Sequence, residues 1–292
     1  MPVMVLMMAF MRVLEKKGIL KNVAVLVSPV FIIFGLPGIG VFGILQIMFV
    51  SFAAPVTTLK LMNDNPQLSK ARIAATLAAI LTMCQANATF PLAAVGLDIP
   101  SLLLTSTIGA LVAAFLTFKV FARKYHDKDE NKDAWFNTND NGKKEKKPFM
   151  KIIMEGAEEG FNLVLKSLPM LLLAIILVNV LKTVGAIGFL QKLLSPVLNK
   201  VGIEGSAVLT VLTKYIAGGT AMMGVTLDLV KDGSLSVLAL NKIAGFIVNP
   251  LDPVGVAFLA SAGERVSSVV MPAIKGAIIG IIVGGVIHLL MF

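Results

Sequence analysis

Two short stretches concentrate the polar chemistry of an otherwise apolar chain. The first, "IVNPLDPVG" (247–255), sets Asn249 and Asp252 beside Pro250 and Pro253. The second, "TMCQANATFP" (82–91), offers Thr82, Gln85, Asn87 and Thr89 ahead of Pro91. A proline has no N–H, so a carbonyl one turn earlier loses its helical partner. Amide and hydroxyl side chains beside such a gap can donate and accept at once, which suits a polar, uncharged solute. The same side chains could instead satisfy the freed carbonyls and glue helices together.

A second pair of interruptions lies in "AAPVTT" (53–58), with Pro55, and "AGGTAMMGVT" (217–226), with Gly218, Gly219 and Thr220. Glycines there permit close backbone approach or local unwinding, and Thr220 adds a hydroxyl. Small residues at helix crossings do the same without any ligand. Lys214 sits deep in an apolar run, where its charge needs a partner or an aqueous cavity. Asp252 and Asp228 are the candidate partners, and snorkelling is the alternative. The single cysteine, Cys84, has no His or carboxylate neighbour in sequence and reads as a packed core residue before it reads as a metal ligand. No nucleophile elbow, phosphate loop or zinc-protease motif occurs, and His126 and His288 fall in a linker and at the terminus. The chain is therefore not expected to be an enzyme, and no catalytic residue, cofactor or metal site is expected.

The elements that must position these groups follow from composition. Hydrophobic residues make up 57% of the 292 and charged residues 15%, against ~45–50% and ~25% in soluble domains. Mean hydropathy is +0.87. Several nearly uncharged windows reach the ~20 residues that cross a bilayer as helix. The net charge of +9 is spread over segment ends and one linker without aromatic interleaving, which fits cytoplasmic loops and excludes nucleic acid as partner. The N-terminus lacks the layout of a cleavable signal and reads as part of a retained helix. One stretch (122–148) is hydrophilic throughout and too polar to fold alone. It separates a first repeat (1–121) from a second (149–292).

The halves are related. Shifting the chain by 167 places Pro2 on Pro169, Gly18 on Gly185, Ser28-Pro29-Val30 on Ser195-Pro196-Val197, Gly35 and Gly38 on Gly202 and Gly205, and Gly109 on Gly276. Shared prolines and glycines mark shared backbone breaks, so we read an internal duplication. Each half divides into five apolar segments: 2–14, 20–34, 39–62, 69–94 and 100–121, then 163–184, 187–201, 206–230, 234–259 and 266–292. The second of each set is short enough to be re-entrant. Basic residues cluster after segments one and three of the first half, whereas Asp228, Lys231 and Asp232 follow segment three of the second. That contrast favours inverted-topology repeats with the linker cytoplasmic.

The run from "EGAEEGFNLVLKSLPMLLLAIILVNVLKTVG" through "LLSPVLNKVGIEG" to "IVNPLDPVG" resembles the nucleoside-recognition, or gate-domain, membrane proteins, a group that includes the spore-maturation A and B proteins and YjiG and YjiH. The match covers about 149–292, and the duplication makes the first half a diverged second copy. Related gate segments occur in concentrative nucleoside transporters and the bacterial ferrous-iron permease. Asn249 and Pro250 match the family's Asn-Pro break; the first half has Gln85 and Asn87 without that pair.

The expectation is an all-α, polytopic inner-membrane protein of about ten segments in two homologous five-segment halves, with broken or re-entrant helices. It would bind or move a small polar solute, nucleosides first, at a midplane site, by rocking one bundle against another. Asn249, Asp252, Gln85, Asn87, Thr82, Thr89, Thr220 and Lys214 are the candidate contacts. Pro250, Pro253, Pro91, Pro55, Gly218 and Gly219 are the candidate helix breaks. The partners expected are the lipid bilayer and the solute, with a homo-oligomer left open. A membrane scaffold of the spore-maturation type and a divalent-metal permease are the rival readings.

Overall fold

A computed structural model describes residues 29–125 and 205–292 continuously, and isolated positions between 13 and 26 and between 148 and 193. Most of the first two segments of each half, and the linker interior 126–147, lie outside the described residues. Among the described residues every regular element is helical, as expected of a chain whose backbone must satisfy itself in lipid. Three stretches are long and apolar enough to cross a bilayer: Lys70–Ala93, Ile99–Phe121 and Val270–Met291.

The first half comprises α1 (Gly38–Phe49), α2 (Pro55–Asp64), α3 (Lys70–Thr82), α4 (Ala86–Ala93) and α5 (Ile99–Leu116), which runs on into a π-helical turn, Thr117–Phe121. The second comprises α6 (Ala207–Ala217), α7 (Gly219–Lys231), α8 (Val237–Ile247), α9 (Pro253–Ala260), the short α10 (Glu264–Ser267) and α11 (Val270–Met291). The offset of 167 carries over to the local chemistry. Ser69 caps α3 by accepting from Arg72 N, and Ser236, 167 residues later, caps α8 by accepting from Ala239 N. Helix α4, moved by the same offset, spans 253–260, the bounds of α9.

The third segments are interrupted where their proline and glycines stand, and the chain reverses direction there. Residues 39–62 are not one rod: α1 and α2 fold back on each other, so that Thr58 Oγ1 donates to Gln46 Oε1 at 2.6 Å and Gly43 faces Thr58. In an unbroken helix residues 46 and 58 would be about 18 Å apart. Helices α6 and α7 likewise pack against each other on either side of Gly218. Gly218 has φ 89° and ψ 172°, a conformation that side-chain-bearing residues avoid, so glycine permits this reversal. Pro55 and Gly218 mark these interruptions in the sequence, but periodicity does not say that the two arms fold back on each other.

Among the described elements α5 and α11 make the most extensive contact, along a row of small residues. A methyl group added at Gly276 would meet Thr117 and Ala113; at Gly280, Gly109 and Ala113; at Gly284, Thr105 and Gly109. Contact positions rise along one helix as they fall along the other, so these equivalent helices run antiparallel. The pairs also exchange under the offset: Gly109–Gly280 becomes Ala113–Gly276, and Thr117–Gly276 becomes Gly109–Gly284. Such reciprocity is what a two-fold relation between the halves would produce. On its outer face α11 exposes Ile278, Ile282, Val286 and Leu290, an apolar stripe that suits lipid. The α3–α4 traverse is instead 89% buried, against 39% for the α5 and α11 spans, and forms the centre.

Polar ties join the halves at both ends of that traverse. Before α3, Arg265 donates to the carbonyls of Asn63, Asn65 and Leu68, and its backbone N–H reaches Asn63 Oδ1 at 2.9 Å. After α4, Asn241 accepts from Asp98 N at 2.8 Å and donates to Gly96 O at 2.9 Å.

Because a Cβ on Gly280 would lie 2.5 Å from Gly109 O and 2.7 Å from the Ala113 side chain, neither rigid backbone can yield cheaply. Gly280→Ala should lower stability by about 1–3 kcal/mol and Gly280→Leu should prevent recovery of folded protein, whereas Ile282→Ala on the exposed face should do neither. Thermal unfolding in detergent measures all three.

Candidate functional site

Each traverse is interrupted near its middle. In the first half α3 ends when Met83 N bonds Ala79 O at 2.9 Å, and α4 restarts at Ala86. In the second, α8 ends at Ile247, and residues 248–252 run irregularly until Pro253 opens α9. Proline suits that first helical position, where its missing N–H costs nothing. Asp252 caps α9 by accepting from Gly255 N at 2.8 Å.

The two interruptions face each other. Gln85 N donates to Val248 O at 3.2 Å, and its side-chain Nε2 reaches Asn249 O at 3.4 Å. The same amide lies so close against Gly219 that any side chain there would overlap it. Gly219 N in turn donates to Asp252 Oδ2 at 3.2 Å, and Lys214 Nζ pairs with that oxygen. Thus the α6–α7 turn and both helix breaks converge on one buried point. The α1–α2 turn approaches from another side: Phe52 stacks on Phe258 of α9 with ring centroids 5.0 Å apart, and Phe90 of α4 packs on Val50 and Ala54.

The structure sorts the sequence candidates into two groups. Several are committed to their own backbone. Thr82 Oγ1 donates to Ala78 O at 2.8 Å and Thr89 Oγ1 to Gln85 O at 3.0 Å. Asn249 bridges its break, donating to Phe246 O at 2.9 Å and accepting from Leu251 N at 3.1 Å. The second group is Gln85, Asn87, Asp252 and Lys214, all buried beside or within the breaks, with Thr220 half-buried on the first turn of α7. Of the proposed breaks, Pro250 and Gly218 lie in interruptions, Pro55 and Pro253 open α2 and α9, and Gly219 opens α7. Pro91 lies inside α4, because the first-half break falls earlier, at 83–85.

Asn87 stands out chemically. Its Oδ1 is buried without a hydrogen-bond partner, and Pro91, four residues on, cannot donate to its backbone carbonyl. An unmet side-chain acceptor therefore lies just past the break, beside a carbonyl that its usual i+4 donor cannot reach. An unmet buried acceptor carries a desolvation cost of ~1–3 kcal/mol, which a donor-bearing ligand removes.

Lys214 has no exposed side-chain surface and is paired with Asp252, the first of the two partners considered for it. Asp252 thereby receives hydrogen bonds from α6, α7 and α9. Sequence reasoning missed Tyr215, whose hydroxyl donates to Phe246 O at 2.9 Å and pins α6 to the end of α8. It also missed His288, which is fully buried and shares a 3.0 Å hydrogen bond between Nδ1 and Thr105 Oγ1. Terminal position concealed it, because α11 runs to the last residues and folds its end back along α5. Cys84 is buried, as expected of a packed cysteine. Among the described residues no group of three or more His, Cys, Asp or Glu is placed to hold a metal ion.

Broken helices and helical hairpins meeting inside an apolar bundle define a helical membrane protein. The fold is that of CNTnw. Superposition on its inward-facing, substrate-bound state gives a TM-score of 0.72 at 16% identity, covering 99% of this chain and 73% of that one. An outward-facing state gives 0.72 at 15% identity, covering 99% and 74%, and an intermediate state gives 0.71 at 15%, covering 99% and 75%. In sequence, the chain is 32% identical over 85 residues to spore maturation protein B of Bacillus subtilis (strain 168), which bears out the resemblance read from the second half. That alignment spans 29% of this chain and 47%, about half, of the relative. No protein-family profile matches the chain.

Removing one member of a buried ion pair strands the other. Lys214→Met should therefore destabilise the protein by about 3–5 kcal/mol, and Lys214→Met with Asp252→Asn by clearly less. A double-mutant cycle by thermal unfolding, with Asp252→Asn alone as its fourth corner, measures the difference, and a double-variant loss equal to the sum of the two single losses would show that the pair is not coupled.

Proposed function

We propose that this chain is a carrier and not an enzyme, moving a small polar solute, with nucleosides the first candidates, through a site at the meeting point of its helix breaks. The observation that carries the reading is the convergence of the α6–α7 turn with both interruptions, joined by Gln85, in a fold shared with CNTnw. The structural neighbours are concentrative nucleoside transporters, and CNTnw has been captured facing either side and with substrate bound. Asn87 would accept from the solute, Gln85 and Thr220 would supply adjustable polar contacts, and the Lys214–Asp252 pair would hold the turn against the second break.

Residues 1–121 and 149–292 form, in this reading, two inverted repeats joined by a cytoplasmic linker in the inner membrane. Support comes from the antiparallel, reciprocal contacts of α5 and α11 and from the offset shared by Ser69 and Ser236. With one bundle related to the other by a two-fold axis in the membrane plane, rocking about the shared site would expose it to each side in turn. The charge balance of the site suits neutral solutes, because its two buried charges are spent on each other.

Purified protein in liposomes tests this directly. Saturable uptake of a radiolabelled nucleoside is expected, with Asn87→Ala raising the half-saturation concentration about five- to tenfold, the worth of one buried hydrogen bond. Correctly folded protein that shows no saturable flux of nucleosides, amino acids or ions would favour the spore-maturation type of scaffold instead.

A further inference from the structure

We propose that the ammonium of Lys214 is a tethered cation: it occupies a small-cation site between the Gly218 turn and the 248–252 break, and performs there the structural work that a dissolved monovalent cation could otherwise do. The proposal rests on the geometry of this corner and not on the identity of any solute.

The site is built around one carboxylate. Asp252 Oδ1 accepts from Gly255 N at the start of α9, and Oδ2 accepts from Gly219 N at the start of α7. Two helices thus begin at the same anionic group, and their positive ends favour it. They supply only partial charges, however, and a buried carboxylate needs a full counter-charge nearby. Lys214 supplies it from the last turn of α6, with no exposed side-chain surface, opposite a carboxylate that is only 4% exposed.

The way the ammonium is held resembles a bound ion more than a directional clamp. Among the described residues Asp252 is its sole hydrogen-bond acceptor, leaving two of its three N–H bonds without a protein acceptor. The ring of Tyr215 lies 5.9 Å away, at the edge of useful cation–π range. What this corner takes from Lys214 is therefore a compact positive charge at one point, and the alkyl stem is a leash that reaches it from α6.

The other half of the molecule shows that the fold does not require this charge. At the offset of 167, Asp252 corresponds to Gln85 and Lys214 to Ile47. There a neutral amide joins the break to its surroundings by bonding Asn249 O, with Ile47 fully buried nearby in sequence to the α1–α2 turn. The ionic corner is thus an addition on one side of the pseudo-two-fold. A free cation would bind there and leave; a tethered one keeps the α6–α7 turn joined to the second break at every salt composition.

Chemical rescue tests the idea without any transport assay. Lys214→Ala removes the leash and the charge but leaves the carboxylate and a space of matching length. Its thermal unfolding is measured in sodium, ammonium, methylammonium and choline chloride at constant ionic strength, beside wild type and the Lys214→Ala/Asp252→Asn double variant. The expected result is a saturable rise in unfolding temperature of Lys214→Ala with methylammonium, ammonium or sodium and none with bulky choline. Wild type and the double variant should not respond. If Lys214→Ala does not survive purification, the same comparison is scored as the yield of monodisperse protein from membranes kept throughout in methylammonium or in choline. Failure of every small cation to restore Lys214→Ala in either format overturns the proposal, as does an equal response of the double variant. A failure of nucleoside uptake with successful rescue would overturn the proposed function and leave this inference standing.

Discussion

Hydrocarbon offers no partner to a peptide group that has lost its helical one, and the rest of this structure follows from that constraint. A helix that stops inside the bundle exposes amides and carbonyls at a cost of several kcal/mol each unless protein supplies their partners. The chain stops two helices, at 83–85 and 248–252, and sets the breaks against each other. Gln85 N finds Val248 O, Gln85 Nε2 finds Asn249 O, and Asp252 collects the first amides of α7 and α9. Each interruption is thus completed partly by its own segment and partly by the one opposite.

That meeting is flanked by α5 and α11, which pack in opposite directions, and the glycine row on α11 brings them together. Gly276, Gly280 and Gly284 let the backbone of α5 approach until Gly109 and Gly280 each abut the other's carbonyl. Larger residues would push the helices apart and separate the breaks they flank. The small residues thus act on the site at a distance, by setting how closely two traverses pack, while Arg265 and Asn241 tie the loops at either end.

Polar residues in such a core divide by what they have left to offer. Thr82, Thr89 and Asn249 are spent on neighbouring backbone and keep the interruptions in shape. Asn87 retains an unmatched oxygen, and Lys214 retains unmatched N–H bonds while its charge is cancelled locally by Asp252. In the proposed carrier, a site with unmet hydrogen bonds but no net charge would suit release as well as binding, since a neutral solute would leave without abandoning an ion.

Periodicity and composition were sufficient to recognise a helical membrane protein. Rigid residues with few conformational options, above all Pro and Gly, were sufficient to suggest a duplication and to locate both breaks within a few residues. These features are local or statistical, and a linear chain displays them directly. Pro55, Gly218 and Gly219 marked interruptions in the third segments, but that the arms on either side pack back on each other as hairpins was less visible, because a break in a helix does not by itself fix the direction of the next one. The pairing of Lys214 with Asp252 could be named as an option, but 38 residues of intervening chain left the choice between Asp252 and Asp228 open. That Thr82 and Asn249 would turn inward to backbone while Asn87 kept a free acceptor depended on side-chain direction at an irregular break, which no periodic pattern encodes. The burial of His288 depended on the antiparallel return of α11 along α5. The sequence by itself determined which residues could interrupt a helix; only the tertiary structure decided which interruptions meet, because a break in lipid is tolerated solely where another part of the fold completes its hydrogen bonds.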